Sequence, residues 1–153
     1  MSAPKLGLLP LYLKLYDDAM PEVRGRVEPF VGTLAAELER RGVGVSVAPV
    51  CRVAEEFRAA VAGLEAAGAD LLVTLHLAYS PSLEAADALA AARLPIVALD
   101  TTPAYPFGGQ QDPAEIMRNH GIHGVQDLCN VLLRRGRAFR VEAGHWERSD
   151  VLD

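Results

Sequence analysis

The chain has 153 residues, half of them apolar, with 15 Lys and Arg against 20 Asp and Glu and a formal net charge of −5. That length suits one domain with a substantial core. The acidic balance, with no lysine-rich run, argues against nucleic acid as the main partner, because phosphate backbones call for clustered cations. No apolar run reaches membrane-spanning length, and Met1-Ser2-Ala3-Pro4-Lys5 leads into a strand-like segment without a signal-peptide pattern. Cys51 and Cys129 stand far apart and fit no CxxC motif. Two buried thiols in a cytoplasmic protein with no membrane contact are therefore expected.

In chain order, residues 5–12 are leucine-rich and read as a buried strand ending near Pro10-Leu11-Tyr12. Residues 13–20 read as a loop. Pro21 suits a first helical position, and Val23, Val27, Phe30, Val31, Leu34 and Leu38 follow at helical spacing, with a kink or restart expected at Pro29. Arg40-Arg41-Gly42 closes that helix. Residues 43–50 alternate and are β-branched, a second strand. Residues 52–67 place Val53, Phe57, Val61 and Leu64 on one helical face, and Gly68 ends them. Residues 70–77 form a continuous apolar strand, and Ser80-Pro81 then offers a side-chain cap and a first-turn proline. A fourth strand covers residues 94–99, a long loop residues 100–110, and a short helix residues 113–118. Asn119-His120-Gly121-Ile122-His123-Gly124 opens a long helix through Val125, Leu128, Cys129 and Leu132 that ends at Arg134-Arg135-Gly136. Residues 139–143 make a fifth strand.

Alternating strands and helices mean βαβ units. The expected fold is α/β: a three-layer, flavodoxin-like (Rossmann-like) parallel sheet of five strands in the order 2-1-3-4-5, with helices on both faces. Residues 1–143 form this domain. Residues 144–153 are polar and read as the start of an interdomain linker or of a following domain.

Ligands of such sheets bind beyond the carboxyl ends of the strands. Leaving those ends are Tyr12 and Tyr16, then His76, Tyr79 and Ser80, then Asp100, Thr101, Thr102 and Tyr105, with His120 and His123 at the helix entrance nearby. These are mostly uncharged groups that donate and accept hydrogen bonds or offer aromatic faces, a mixture that suits a polyhydroxylated ligand. Gly121 and Gly124 would let a ligand or another chain approach the backbone. Each candidate has a plainer role. Tyr12 could pack a strand end, His76 could be a core histidine, Asp100 could order its loop, and His120 with His123 could cap the helix.

Sharper motifs are missing. There is no GxGxxG, no GxxxxGK[ST] and no GxSxG. A phosphoacceptor receiver would need an aspartate where His76 stands. His120 and His123 have no obvious third metal ligand nearby, and no pair of rim carboxylates offers acid/base chemistry. No catalytic residue and no metal ligand is assigned within the chain.

Four segments in succession resemble the N-terminal domain of the L-arabinose isomerase and L-fucose isomerase-like sugar isomerases. They are Leu9-Pro10-Leu11-Tyr12, Leu75-His76-Leu77-Ala78-Tyr79-Ser80-Pro81, Leu99-Asp100-Thr101-Thr102-Pro103 with Tyr105, and Asn119-His120-Gly121-Ile122-His123-Gly124. Gly144-His145-Trp146 resembles the exit from that domain. The resemblance implies an aldose–ketose isomerase that uses a divalent metal, commonly manganese, held by later domains. The N-terminal domain would close over the active site of a neighbouring subunit in a homo-oligomer and touch the sugar through Tyr12 and His123. His120 and Leu9 stand where the arabinose branch has glutamine, which leaves other sugars open. The chain is thus expected to be a substrate-lid and assembly domain, inactive alone, whose partners are a sugar and the catalytic domains of its own or a neighbouring subunit. A second expectation is a stand-alone flavodoxin-like module that binds a sugar or small polar ligand. A third is a purely structural oligomerisation domain.

Overall fold

The computed structural model describes residues 3–106 and 108–153; Met1 and Ser2 at the expected strand's approach, and Phe107 in the expected long loop, lie outside the described residues. Five strands, β1 Lys5–Leu11, β2 Gly44–Val47, β3 Leu71–His76, β4 Ile96–Asp100 and β5 Arg140–Ala143, form one sheet in the order β2-β1-β3-β4-β5. Every pairing is parallel. This is the flavodoxin-like order expected from the sequence.

The connections are helical. α1 Lys14–Ala19, α2 Glu22–Val27 and α3 Pro29–Arg40 follow β1, α4 Ala54–Ala66 follows β2, and α5 Ser82–Ala91 follows β3. A 3-10 turn Pro113–Glu115, α6 Ile116–Asn119 and α7 Gly121–Arg134 follow β4. The restart expected at Pro29 is present, with the proline in the first turn of α3. Gly42 and Gly136 follow α3 and α7 at φ 84 and 68, the left-handed conformation glycine adopts without steric cost.

Three local expectations are corrected. Residues 13–20 are not a loop, because α1 forms there; it buries no residue, so it leaves no apolar periodicity to read. β2 is shorter than 43–50; beyond it Ala48 donates its N–H to Leu8 O at 2.9 Å and an isolated bridge joins Leu11 to Cys51. The residue at the N-cap of α5 is Pro81, without a side-chain cap, because Ser80 Oγ instead donates to Tyr12 O at 3.3 Å.

Side chains alternate across the pleat and so divide the core in two. Leu9, Leu11, Leu72 and Ile96 pack under α4, α5 and α7, against Phe57, Val61, Leu89, Leu128 and Leu132. Leu6, Leu8, Val73, Leu75 and Leu99 pack on the other face against Val27, Val31, Leu34 and Leu38. Residues 144–153 lie against this second face. Trp146 meets Phe30 edge-on at 6.2 Å, Val151 and Leu152 are partly buried, and Asp153 pairs with Arg41 at 2.9 Å. Both cysteines are free, Cys51 buried and Cys129 half-buried. Among the described residues no helix is long and apolar enough to cross a membrane.

Candidate functional site

The same alternation decides where each residue at the carboxyl rim ends up. Tyr12 continues the β1 register that faces α3 and is 0% exposed, with its hydroxyl lacking a hydrogen-bond partner among the described residues. Burial, reinforced by the charge of Asp17, pushes its pKa up to about 12. Its ring meets Tyr16 edge-on at 5.7 Å, and Tyr16 Oη lies 3.4 Å from His120 Nε2. His120 Nδ1 is 2.7 Å from Ile116 O, and His123 Nδ1 is 3.2 Å from His120 O. A carbonyl only accepts, so each Nδ1 carries a proton, and in the neutral tautomer this assigns Nε2 as the acceptor. The His120 and His123 rings are 6.0 Å apart. Tyr12, Tyr16, His120 and His123 therefore form one continuous row of rings, with Tyr12 beneath and His123 at the surface.

His76 falls on the opposite face. It is 4% exposed, and neither ring nitrogen has a partner among the described residues. Burial holds its pKa down to about 4, with the charge of Asp127 pulling the other way, so the ring is neutral at pH 7. It packs into the bare face of α7: a Cβ on Gly124 would lie 2.4 Å from His76 Cδ2, and one on Gly121 2.8 Å from His76 O. The close approach expected for a ligand at these glycines is corrected on this ground. Their spacing puts them on the buried side of α7 with Val125 and Leu128, while His123 is exposed.

Asp100 also faces α7. Desolvation raises its carboxyl pKa, and its charge adds to burial in raising the Cys129 thiol. Thr101 returns to the α3 side, where it is buried and its Oγ1 accepts the N–H of Trp146 at 2.9 Å. Exposed Tyr105 stands edge-on to His145 at 5.3 Å, with the Arg148 guanidinium 5.8 Å above its ring. Thr101 and Tyr105 thus assemble with the C-terminal tail, apart from the row that ends at His123.

Two positioning residues were not legible as such. Asn119 Oδ1 accepts the N–H of Ala104 at 3.0 Å while its Nδ2 donates to Glu115 O at 2.9 Å, tying the loop after β4 to the histidine turn. Asp17 Oδ2 accepts from Arg24 Nη1 at 3.1 Å and from Arg52 Nη1 at 2.7 Å, joining α1 to two other segments beside Tyr16. A cavity of about 560 Å³ opens next to this cluster, lined in part by Arg24, Val47, Cys51, Arg52 and Glu56. Asp17→Asn should lower stability by about 1 kcal/mol in a chemical denaturation curve, since it removes the negative charge shared by two partly exposed guanidiniums. Among the described residues, no group of three or more His, Cys, Asp or Glu is placed to hold a metal ion.

Similarity to known proteins is confined to structure. The Escherichia coli transcriptional repressor ascG aligns at 17% identity and a TM-score of 0.39, over 94% of this chain and 60% of its own. The Lac repressor bound to ONPG in the repressed state aligns at 16% identity and a TM-score of 0.41, over 95% of this chain and 49% of its own. The chain thus spans about half of their length. No family model and no curated protein matches the sequence.

The sugar-isomerase resemblance is overturned by these findings: no isomerase family matches, and the structural neighbours above are repressors. The segments that carried it have local structural roles. Leu9 and Leu11 fill the core, His76 seats α7, and Ser80 bonds the Tyr12 carbonyl. The isomerase activity and the lid-and-assembly role are withdrawn with it. The divalent metal expected in a complete enzyme rested on that resemblance alone.

Proposed function

We propose that the chain is a binding module for a small, neutral, polyhydroxylated ligand, a sugar in chemical class, held at the carboxyl rim. The carrying observation is the Tyr16 hydroxyl 3.4 Å from His120 Nε2, which brings two remote segments together with His123 adjoining them. With both Nδ1 atoms committed to carbonyls, the neutral tautomer of His123 offers Nε2 as an exposed acceptor. The Tyr16 hydroxyl adds an acceptor and a donor that can exchange His120 for a ligand oxygen. The ring faces of Tyr16 and His123 would lie against sugar C–H surface. In this role Tyr12 and His76 act from below, fixing the Tyr16 ring and the α7 entrance. Asp100 borders the α7 side, while Thr101 and Tyr105 order the C-terminal tail and stand outside the site. The formal charge of −5 supports a neutral ligand over nucleic acid.

The test is ligand-observed NMR followed by calorimetry, with a panel of aldoses, ketoses and disaccharides and with sugar phosphates as controls. At least one neutral sugar should bind and shift the Tyr16, His120 and His123 resonances. Tyr16→Phe and His123→Ala should each weaken it about tenfold, the worth of one hydrogen bond. Binding left unchanged by both substitutions, or no sugar binding at all, would sink the proposal.

A further inference from the structure

The two open edges of the sheet differ. β5 carries Arg140-Val141-Glu142, with Arg140 and Val141 exposed and Glu142 half-exposed, whereas the opposite edge, β2, reads Gly44-Val45-Ser46-Val47 and carries no charge. Gly144 donates its N–H to Asp100 O at 3.0 Å, and β4 pairs Leu99 with Glu142. Even-numbered residues of β5 thus turn their backbone groups toward β4. Alternation leaves the N–H and C=O of Val141 and Ala143 on the free edge, a template for another strand.

We propose that this strand is β5 of a second copy of the chain, antiparallel, with the two-fold axis at Val141. Two five-stranded sheets then join into one. Pairing rules leave few registers. Residues with outward backbone groups must oppose one another, so the axis falls on a residue. An axis at Arg140 sets arginine against arginine, and one at Glu142 sets glutamate against glutamate. At Val141, the valine pairs with its own copy through two N–H···O=C bonds, and Arg140 stands opposite the second copy's Glu142 on both sides of the axis. Those are the non-hydrogen-bonded positions, where opposing Cα atoms approach to about 4.5 Å and opposite charges stabilise the pair. Within one chain, Arg140 and Glu142 pair with each other, so association exchanges one partner for its equivalent.

A helix flank supports the same occupant. Arg140 and Glu142 line a groove with Val97 and Leu99 on the α3 face, so Val141, 44% exposed, faces the α7 side. Asp127 of α7 reaches Ser82 N, toward α5, at 3.4 Å, while Cys129 on the other flank feels the charge of Asp100. Ile122 and Leu133 stand one or two turns from Cys129 on that flank and are 40% and 70% exposed. A four-residue strand pair alone falls short of the roughly 1,200 Å² that a stable interface buries. The apolar flanks of two copies, beside the joined strands, supply further area.

Sedimentation velocity on the full chain across a dilution series tests this. The parent should dimerise reversibly, and its Val141 and Ala143 amides should exchange more slowly as concentration rises. Arg140→Glu and Glu142→Arg should each weaken association about tenfold or more by setting like charges opposite one another. Mixing the two variants should restore a dimer, because one copy brings two acidic and the other two basic side chains to the axis. A parent that stays monomeric throughout, charge reversals that leave the dimer intact, or variants that do not complement would each overturn the proposal. Amide exchange in the parent decides the matter even if a variant fails to fold.

Discussion

Gly124→Ala should destabilise the protein by about 2 kcal/mol net, even though alanine is the better helix former. The new Cβ would sit 2.4 Å from His76 Cδ2, 2.9 Å from His76 Nε2 and 3.3 Å from Ser80 N. The ring it meets is fully packed and cannot swing away, so α7 must lift from β3. Overpacking of this kind costs on the order of 3 kcal/mol, and the gain in helix propensity offsets about 1. In a chain this long, the melting temperature should fall by about 4–8 °C. Gly121→Ala meets the carbonyl oxygen of His76 at 2.8 Å and should behave similarly. A double-mutant cycle isolates the contact: in a His76→Ala background, Gly124→Ala should cost much less, because the offending ring is gone. If the two substitutions add independently, α7 is not seated on His76 in the way described.

How far the sequence announces this arrangement differs between parts of the chain. The succession of strands and helices follows from apolar runs such as residues 71–77 and from helices with recognisable ends, because buried parallel strands and capped helices leave local signals, whereas the order of the strands in the sheet is a fold-level expectation. The row from Tyr12 to His123 is partly legible, since each member lies near a strand end or helix entrance where such folds place ligands. The separation of Thr101 and Tyr105 from that row is not, because it depends on pleat register and on the packing of Trp146 and Arg148. The burial of Gly121 and Gly124 could have been read, as they share the helical face of Val125 and Leu128. Ser80 departs from its expected capping role for a nonlocal reason: its partner, the Tyr12 carbonyl, lies at another strand's end. The isomerase resemblance fails for a related reason. A leucine-rich strand, a histidine at a strand end and glycines at a helix entrance are what close packing of this sheet requires, whatever the site above it does.

Acid should remove about 3 kcal/mol of stability between pH 7 and pH 4 through His76 alone. Its pKa in the fold is about 4, against about 6.5 for an exposed histidine. In that window the unfolded chain binds a proton that the folded chain excludes, so stability rises with pH from about 4 to about 6.5 and is flat above. The loss is a large share of the roughly 5–15 kcal/mol that holds a typical domain together. His76→Gln should flatten the curve of unfolding free energy against pH, whatever its effect at neutral pH. Glu56, held low by the Arg52 side chain, and Glu65, held low by the Arg93 backbone N–H, lose stability as pH falls through their own lower range. Asp100, raised by desolvation, works in the opposite sense, and all three are common to parent and variant. The difference between the two curves therefore reports His76. Parallel curves from pH 7 to pH 4 would show that the ring is solvated or paired in solution. Because α7 rests on this ring, protonation should first loosen the helix entrance. Amide exchange at Val125 and Leu128 should then rise below about pH 5 before exchange in β1 does.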